Sequence, residues 1–188
     1  MSPQNVTKIK REQCLLLYTQ FPITKNEDEY FFPRSVTDYR LGILACSEDE
    51  HNTVLGLSFT QFIQELDIDA LVFLGDSDTP WLYRDSDFKP AKEALAYLVA
   101  HKLGKRFNGG LKVSIDELPV FLKHIAWLGS TNTVLPIVHF MDPMQRLVGS
   151  ICHYGNIHLS ILDKEIDERV VIAIENVGLR IVEGNNCK

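Results

Sequence analysis

Residues 70–87, ALVFLGDSDTPWLYRDSD, run from an apolar stretch straight into a loop with four aspartates, a Trp and a Tyr. Asp76 and Asp78 stand two residues apart, a spacing at which carboxylates can share acid–base work or hold a hard divalent cation such as Mg²⁺ or Ca²⁺, with Asp85 as a further ligand. Ser77 between them is a nucleophile only if a base takes its proton. A second group is His153 and His158. If Gly155-Asn156 is a two-residue hairpin loop, these histidines lie opposite one another, with Cβ atoms about 4.5–5.5 Å apart. His139 on the preceding strand would join their face. Imidazoles so placed can begin a zinc site, which still needs a third and a fourth ligand.

Gly75-Asp76-Ser77 resembles the first block of the GDSL esterases and lipases, which implies Ser77 as nucleophile. Those enzymes activate the serine with a late Asp-x-x-His pair, and none of the six histidines here has an aspartate three residues before it. Asp76-Ser77-Asp78-Thr79 resembles the strand-end DxDxT motif of haloacid-dehalogenase-type phosphatases, which implies Asp76 as nucleophile, Asp78 as acid/base and Mg²⁺ between them. Here Thr79 comes one place early, Pro80 takes the motif's threonine position, and Gly75 separates strand from aspartate. A turn whose Asp and Ser side chains bond nearby amides accounts for the same residues. Phe107-Asn108-Gly109-Gly110 is glycine-rich but follows neither the GxxxxGK[ST] nor the GxGxxG order of phosphate-binding loops. The basic cluster beside it (His101, Lys102, Lys105, Arg106) reads as a solvated helix end.

Charge points elsewhere. The chain of 188 residues carries −6, but residues 24–87 hold 14 acidic against 4 basic residues, a balance of −10, and the rest is mildly basic. Such a field repels nucleic acid and draws cationic partners. It also serves simply to keep a small domain in solution. The four cysteines lack any CxxC spacing, and the N-terminus shows no signal-peptide pattern, so the expectation is reduced thiols in the cytoplasm. No apolar run is long enough to span a membrane, and nothing calls for a cofactor or a metal.

The elements that must position these residues form an α+β pattern. Helices are expected over 8–20, 58–66, 90–103, 114–128 and 163–177, and strands over 40–46, 54–57, 70–74, 134–141, 146–154, 157–162 and 179–183. Ser114 with Glu117 fits a capping box, and Asp163 caps the last helix, whose Ile166, Val170, Ile174 and Val177 share a face. Residues 24–29 read as a charged loop, and 47–53 as a polar one. Strands and helices do not alternate regularly, so the expected architecture is one α+β domain over 1–188, with a mixed or antiparallel sheet, a C-terminal hairpin and a peripheral segment of about 30 residues at the start. With no complete catalytic set, the expected function is an acidic protein-binding module, such as an immunity or inhibitor protein for a basic nuclease-type toxin. Its contact residues would be Asp76, Asp78, Trp81, Tyr83, Asp85 and Asp87. The alternative is a hydrolase or metal-dependent enzyme using Asp76, Ser77 and Asp78, or His153 and His158. For Trp81 and Tyr83 a second expectation stands beside the first: rings folded back onto the core to pin a long loop.

Overall fold

The computed structural model describes residues 5–26, 29–131, 135, 137–183 and 187. In chain order the elements are β1 (Val6–Ile9), α1 (Arg11–Leu17), β2 (Ile23–Asn26), β3 (Glu29–Phe31), β4 (Thr37–Gly42), α2 (Glu48–Glu65), β5 (Ala70–Gly75), α3 (Lys89–Ala100), β6 (Gly110–Ser114), α4 (Leu118–Ser130), β7 (Val138–Met141), β8 (Leu147–Ile151), β9 (Ile157–Ile161), α5 (Lys164–Asn176) and β10 (Arg180–Ile181). Eight strands form one antiparallel sheet in the order β1-β6-β5-β7-β8-β9-β4-β10, and β2 pairs with β3 in a separate hairpin. The expected α+β class and C-terminal hairpin are present. Among the described residues no helix is long and apolar enough to cross a membrane.

The two faces of the sheet have different covers. One face carries Leu71, Phe73, Leu111, Val113, Phe140, Leu147, Ile157, Leu159 and Ile161, and packs against α2, α3, α4 and α5. Rings join the layers: Phe73 lies 4.6 Å from Phe121 of α4, and Phe140 lies 5.1 Å from Phe59 of α2. The other face is covered over its β5–β7–β8 portion, where Val72, Leu74, Met141 and Val148 meet Cys14 of α1 and Phe21. The initial segment, expected at the periphery, thus supplies the edge strand β1 and this second, smaller cover.

Several boundaries differ from the sequence expectation, each for a local reason. The strand expected at 54–57 and the loop before it both belong to α2. Ser47 Oγ accepts from the Glu50 N–H at 3.2 Å, and the Glu50 carboxylate accepts from the Cys46 N–H at 2.8 Å. Ser47-x-x-Glu50 has the capping-box sequence, though its Glu50 arm reaches one residue past the cap, to Cys46 N–H rather than Ser47 N–H. Leu55, Phe59, Phe62, Ile63 and Leu66 then bury one helical stripe. Conversely, Ser114 ends β6, and α4 begins only after Glu117, so the capping box expected at Ser114 does not form. The helix expected over 8–20 is shortened to α1 because β1 takes Lys8 and Ile9 into the sheet. Asp163 does cap α5, its Oδ1 accepting from Glu165 N–H at 2.7 Å.

The hairpin loop between β8 and β9 decides the geometry of the site. It has three residues, not two: Cys152 N–H donates to Asn156 O at 2.8 Å, and Gly155 sits at φ +77°. A type I turn followed by a left-handed residue closes such loops. The register becomes Leu147↔Ile161, Gly149↔Leu159, Ser150↔His158 and Ile151↔Ile157. The two-residue loop would instead set Ser150 against Ile161 and Ile151 against Ser160, mixing polar and apolar side chains on both faces. Since a one-residue slip flips every side chain of a strand, burial selects the observed pairing.

Candidate functional site

Past the cover of α1 and the β2–β3 hairpin, the second face of the sheet turns polar. Successive partners across five strands are Leu74, His139, Ser150, His158 and Arg40. The neighbouring row runs Val72, Met141, Val148, Ser160 and Asp38. Both rows change from apolar to polar along the sheet. Alternation along β4 and β9 puts Asp38, Arg40, His158 and Ser160 on this face, because Tyr39, Leu41, Leu159 and Ile161 take the helix side. A cavity of about 530 Å³ opens over these residues, with Phe32, Ile181 and Val182 at its rim.

His139 and His158 share this face as expected, but their roles differ. His139 is 5% exposed, and its Nε2 lies 2.7 Å from the Tyr30 hydroxyl. Burial pulls its pKa down to about 4, against the raising effect of a hydrogen bond to the Gly149 backbone. The ring is therefore neutral at pH 7, donating to Gly149 O and accepting from Tyr30, and both nitrogens are occupied. Tyr30 in turn has its pKa pushed up to about 12, by burial and by the charge of Asp76. Tyr30 and His139 thus form a hydrogen-bonded pair, with the charge of Asp76 acting on Tyr30.

His158 is more accessible and has softer neighbours. Cys187 Sγ lies 3.2 Å from its Nε2, and Cys152 completes a group of three donor atoms within 4.8 Å of one another. Burial and then the Arg40 charge lower the His158 pKa, which keeps its ring neutral. Burial raises the pKa of the Cys152 thiol. The carbonyl of Cys187 accepts from Asn156 Nδ2 at 2.6 Å, which ties the far end of the chain to the hairpin. A second cavity, of about 370 Å³, adjoins His158 and Cys152 and is lined by Ile125, Leu135, Ile137 and Ile151.

No family model, curated protein or solved structure matches the chain.

His153 does not join His158. The three-residue loop places it in the exposed turn, 5.1 Å from the Tyr154 ring, and the expected His153–His158 pair is replaced by Ser150–His158. Among the described residues no hydrogen bond joins Ser150 to either histidine of its row.

The strand-end loop pairs its residues with near neighbours, Ser77 bonding Asp76. Asp76 is half-buried, its backbone paired with Ile137 O and Thr24 N–H, both at 2.9 Å, and burial raises its pKa. Ser77 Oγ donates to Thr79 Oγ1 at 3.1 Å. Asp78 points to solvent and holds Arg11 Nε at 2.8 Å, while Arg11 Nη1 donates to Gly75 O at 3.0 Å. Trp81 is 2% exposed: its Nε1–H donates to Gly109 O at 2.8 Å and its ring packs on Phe121. As a surface contact Trp81 is corrected to a core pin, because an indole that finds both apolar cover and a partner for its N–H stays buried. Tyr83, Asp85 and Asp87 are exposed.

Cys152, Cys187, Arg40, Asp38 and Tyr30 did not emerge from spacing alone. Strand alternation in Thr37–Gly42 carries a signal for Asp38 and Arg40. Cys187 carries none, since its approach to His158 depends on how the chain returns along β4.

Proposed function

We propose that the protein is a non-enzymatic binding module for a basic protein, with Asp78, Tyr83, Asp85 and Asp87 as its contact residues. The observation that carries this reading is the construction of the loop after β5. Trp81, buried with its N–H satisfied, fixes the base, and Tyr83 stands 57% exposed beside the exposed carboxylates Asp85 and Asp87. A loop held rigid before binding loses less conformational freedom on association. The balance of −10 over residues 24–87 supplies a field that steers a cationic partner and disfavours nucleic acid. Carboxylates on such a surface stand in for phosphates over the cationic active site of a nuclease-type toxin, the role of a cytoplasmic immunity or inhibitor protein. Asp76 and Trp81 support the loop rather than touch the partner.

A hydrolase built on Asp76, Ser77 and Asp78 has less support. Ser77 bonds Asp76 and Thr79, and among the described residues no imidazole reaches Ser77.

The test pairs this chain with the polypeptide encoded immediately upstream of it. Expected are neutralisation of a nuclease activity and an association rate that falls at least about tenfold in the Asp85→Lys/Asp87→Lys variant, with an unchanged melting curve. Failure to neutralise, or binding indifferent to both charge reversals, counts against the reading.

A further inference from the structure

We propose that Cys152, His158 and Cys187 form a zinc site whose fourth coordination place opens to the neighbouring apolar cavity. The three donors come from the end of β8, the second residue of β9 and the last part of the chain, and their ligand atoms lie within 4.8 Å of one another. Tetrahedral zinc with Zn–S near 2.3 Å and Zn–N near 2.0–2.1 Å sets donor atoms about 3.6–3.8 Å apart. The 3.2 Å between Cys187 Sγ and His158 Nε2 is within a few tenths of an ångström of that spacing, so side-chain adjustment suffices.

Donor chemistry selects the metal class. Two thiolates and an imidazole suit zinc and exclude Mg²⁺ and Ca²⁺, which prefer oxygen. Binding releases the thiol protons of Cys152 and Cys187 to solvent, and the two thiolates balance the charge of Zn²⁺. The backbone is already in place, because Asn156 Nδ2 holds the Cys187 carbonyl at 2.6 Å and Asn156 itself is 9% exposed. The metal would fasten a C-terminal segment in which the strand among the described residues, β10, has two residues. Three protein ligands leave one place for water or an incoming donor, the arrangement that distinguishes reactive zinc centres from closed structural ones. The cavity lined by Ile125, Leu135, Ile137 and Ile151 has two of the donors, Cys152 and His158, in its wall, which is why the open place is assigned to it.

The experiment uses the full chain, purified under reducing conditions and loaded with Zn²⁺ or Co²⁺. One equivalent of zinc per chain is expected, with a thiolate-to-cobalt charge-transfer band and tetrahedral d–d absorption in the cobalt form. Azide should shift the cobalt spectrum by entering the fourth place; an unchanged spectrum overturns the open place. Cys187→Ser, Cys152→Ser and His158→Gln should each weaken metal binding by more than about 100-fold, more than the loss typical of a residue behind the ligands. Cys46→Ser, exposed and distant in sequence, should bind as the parent does. The proposal is overturned if the reduced parent holds no stoichiometric metal, or if Cys187→Ser and Cys152→Ser keep it. It is equally overturned if intact mass of the untreated protein shows the loss of two hydrogens that a Cys152–Cys187 disulfide requires.

Discussion

The loop after β5 and the polar half of the second sheet face both hold titratable side chains, and they treat them in opposite ways. In the loop, Asp76, Ser77 and Asp78 are consecutive in sequence and find their partners close by: Ser77 bonds both Asp76 and Thr79, and Asp78 faces Arg11. On the sheet face, His139, Ser150, His158 and Arg40 come from four strands, yet they fall in one row of successive partners. The difference comes from what fixes each group. A loop is anchored at a few points, and between them its side chains bond what lies within local reach. A sheet imposes one spacing and one side on every second residue, so polar side chains on adjacent strands meet whether or not they are neighbours in sequence.

The largest effect that would break this comparison concerns Trp81. If the loop is pinned by a buried indole, Trp81→Ala should cost about 3–5 kcal/mol in a urea unfolding experiment, the range for losing a large aromatic from a core. An unchanged urea midpoint would mean that the ring is not holding the loop. The second effect concerns His139. Its folded-state pKa of about 4 lies below the unfolded value of 6.5, so the unfolded chain takes up the proton first. Its contribution to stability is fully present above pH 6.5, declines as pH falls, and is gone below about 4. The loss is on the order of 3 kcal/mol across that window. His139→Gln should flatten this part of the urea-midpoint-against-pH curve; an unaltered slope would place the titrating group elsewhere.

Much of this contrast was legible in the sequence, but unevenly. Strand β5, helix α5 with its Asp163 cap, and the β7–β8–β9 order follow from apolar runs and turn residues that act locally. Strands β1 and β6 were not, because each is short and gains its stability from partners distant in sequence: Val6 pairs with Val113, and Leu111 with Phe73. Strands β2 and β3 pair only with each other, and their charged residues read as a loop. The shared face of His139 and His158 was legible from alternation. The His153–His158 pairing was not correct, because loop length sets register and Gly155-Asn156 suits loops of two or three residues. Matching polar with polar across β8 and β9 would have chosen the right one. For Cys187 no local rule exists.

Smaller effects sharpen the comparison further. Tyr30→Phe removes the hydroxyl from His139 Nε2, 2.7 Å away, and leaves that nitrogen buried. The expected cost is about 1 kcal/mol, the net worth of one hydrogen bond, with a larger cost if no water replaces it. The same variant should raise the apparent pKa of His139 in an NMR titration only if Tyr30 holds the ring neutral; burial as the leading cause predicts that it stays well below 6.5.

The smallest effect belongs to the loop tip. Asp85→Asn and Asp87→Asn alter exposed side chains outside the core, so each should change unfolding free energy by no more than about 0.5 kcal/mol, and Tyr83→Ala by no more than about 1 kcal/mol. Tyr83 makes one aromatic contact, with the Arg84 guanidinium 5.3 Å from its ring centroid, and at an exposed site that is worth about 0.5–1 kcal/mol at most. Near-neutral stability at these positions is what separates a displayed surface from a structural one. If all three variants melt with the parent while Trp81→Ala does not, the loop consists of a rigid base and an expendable tip, and selection on the tip must come from what it touches. If instead Asp85→Asn or Asp87→Asn destabilises by more than about 1 kcal/mol, those carboxylates are working within the fold, and the case for a contact surface shrinks to Tyr83 alone.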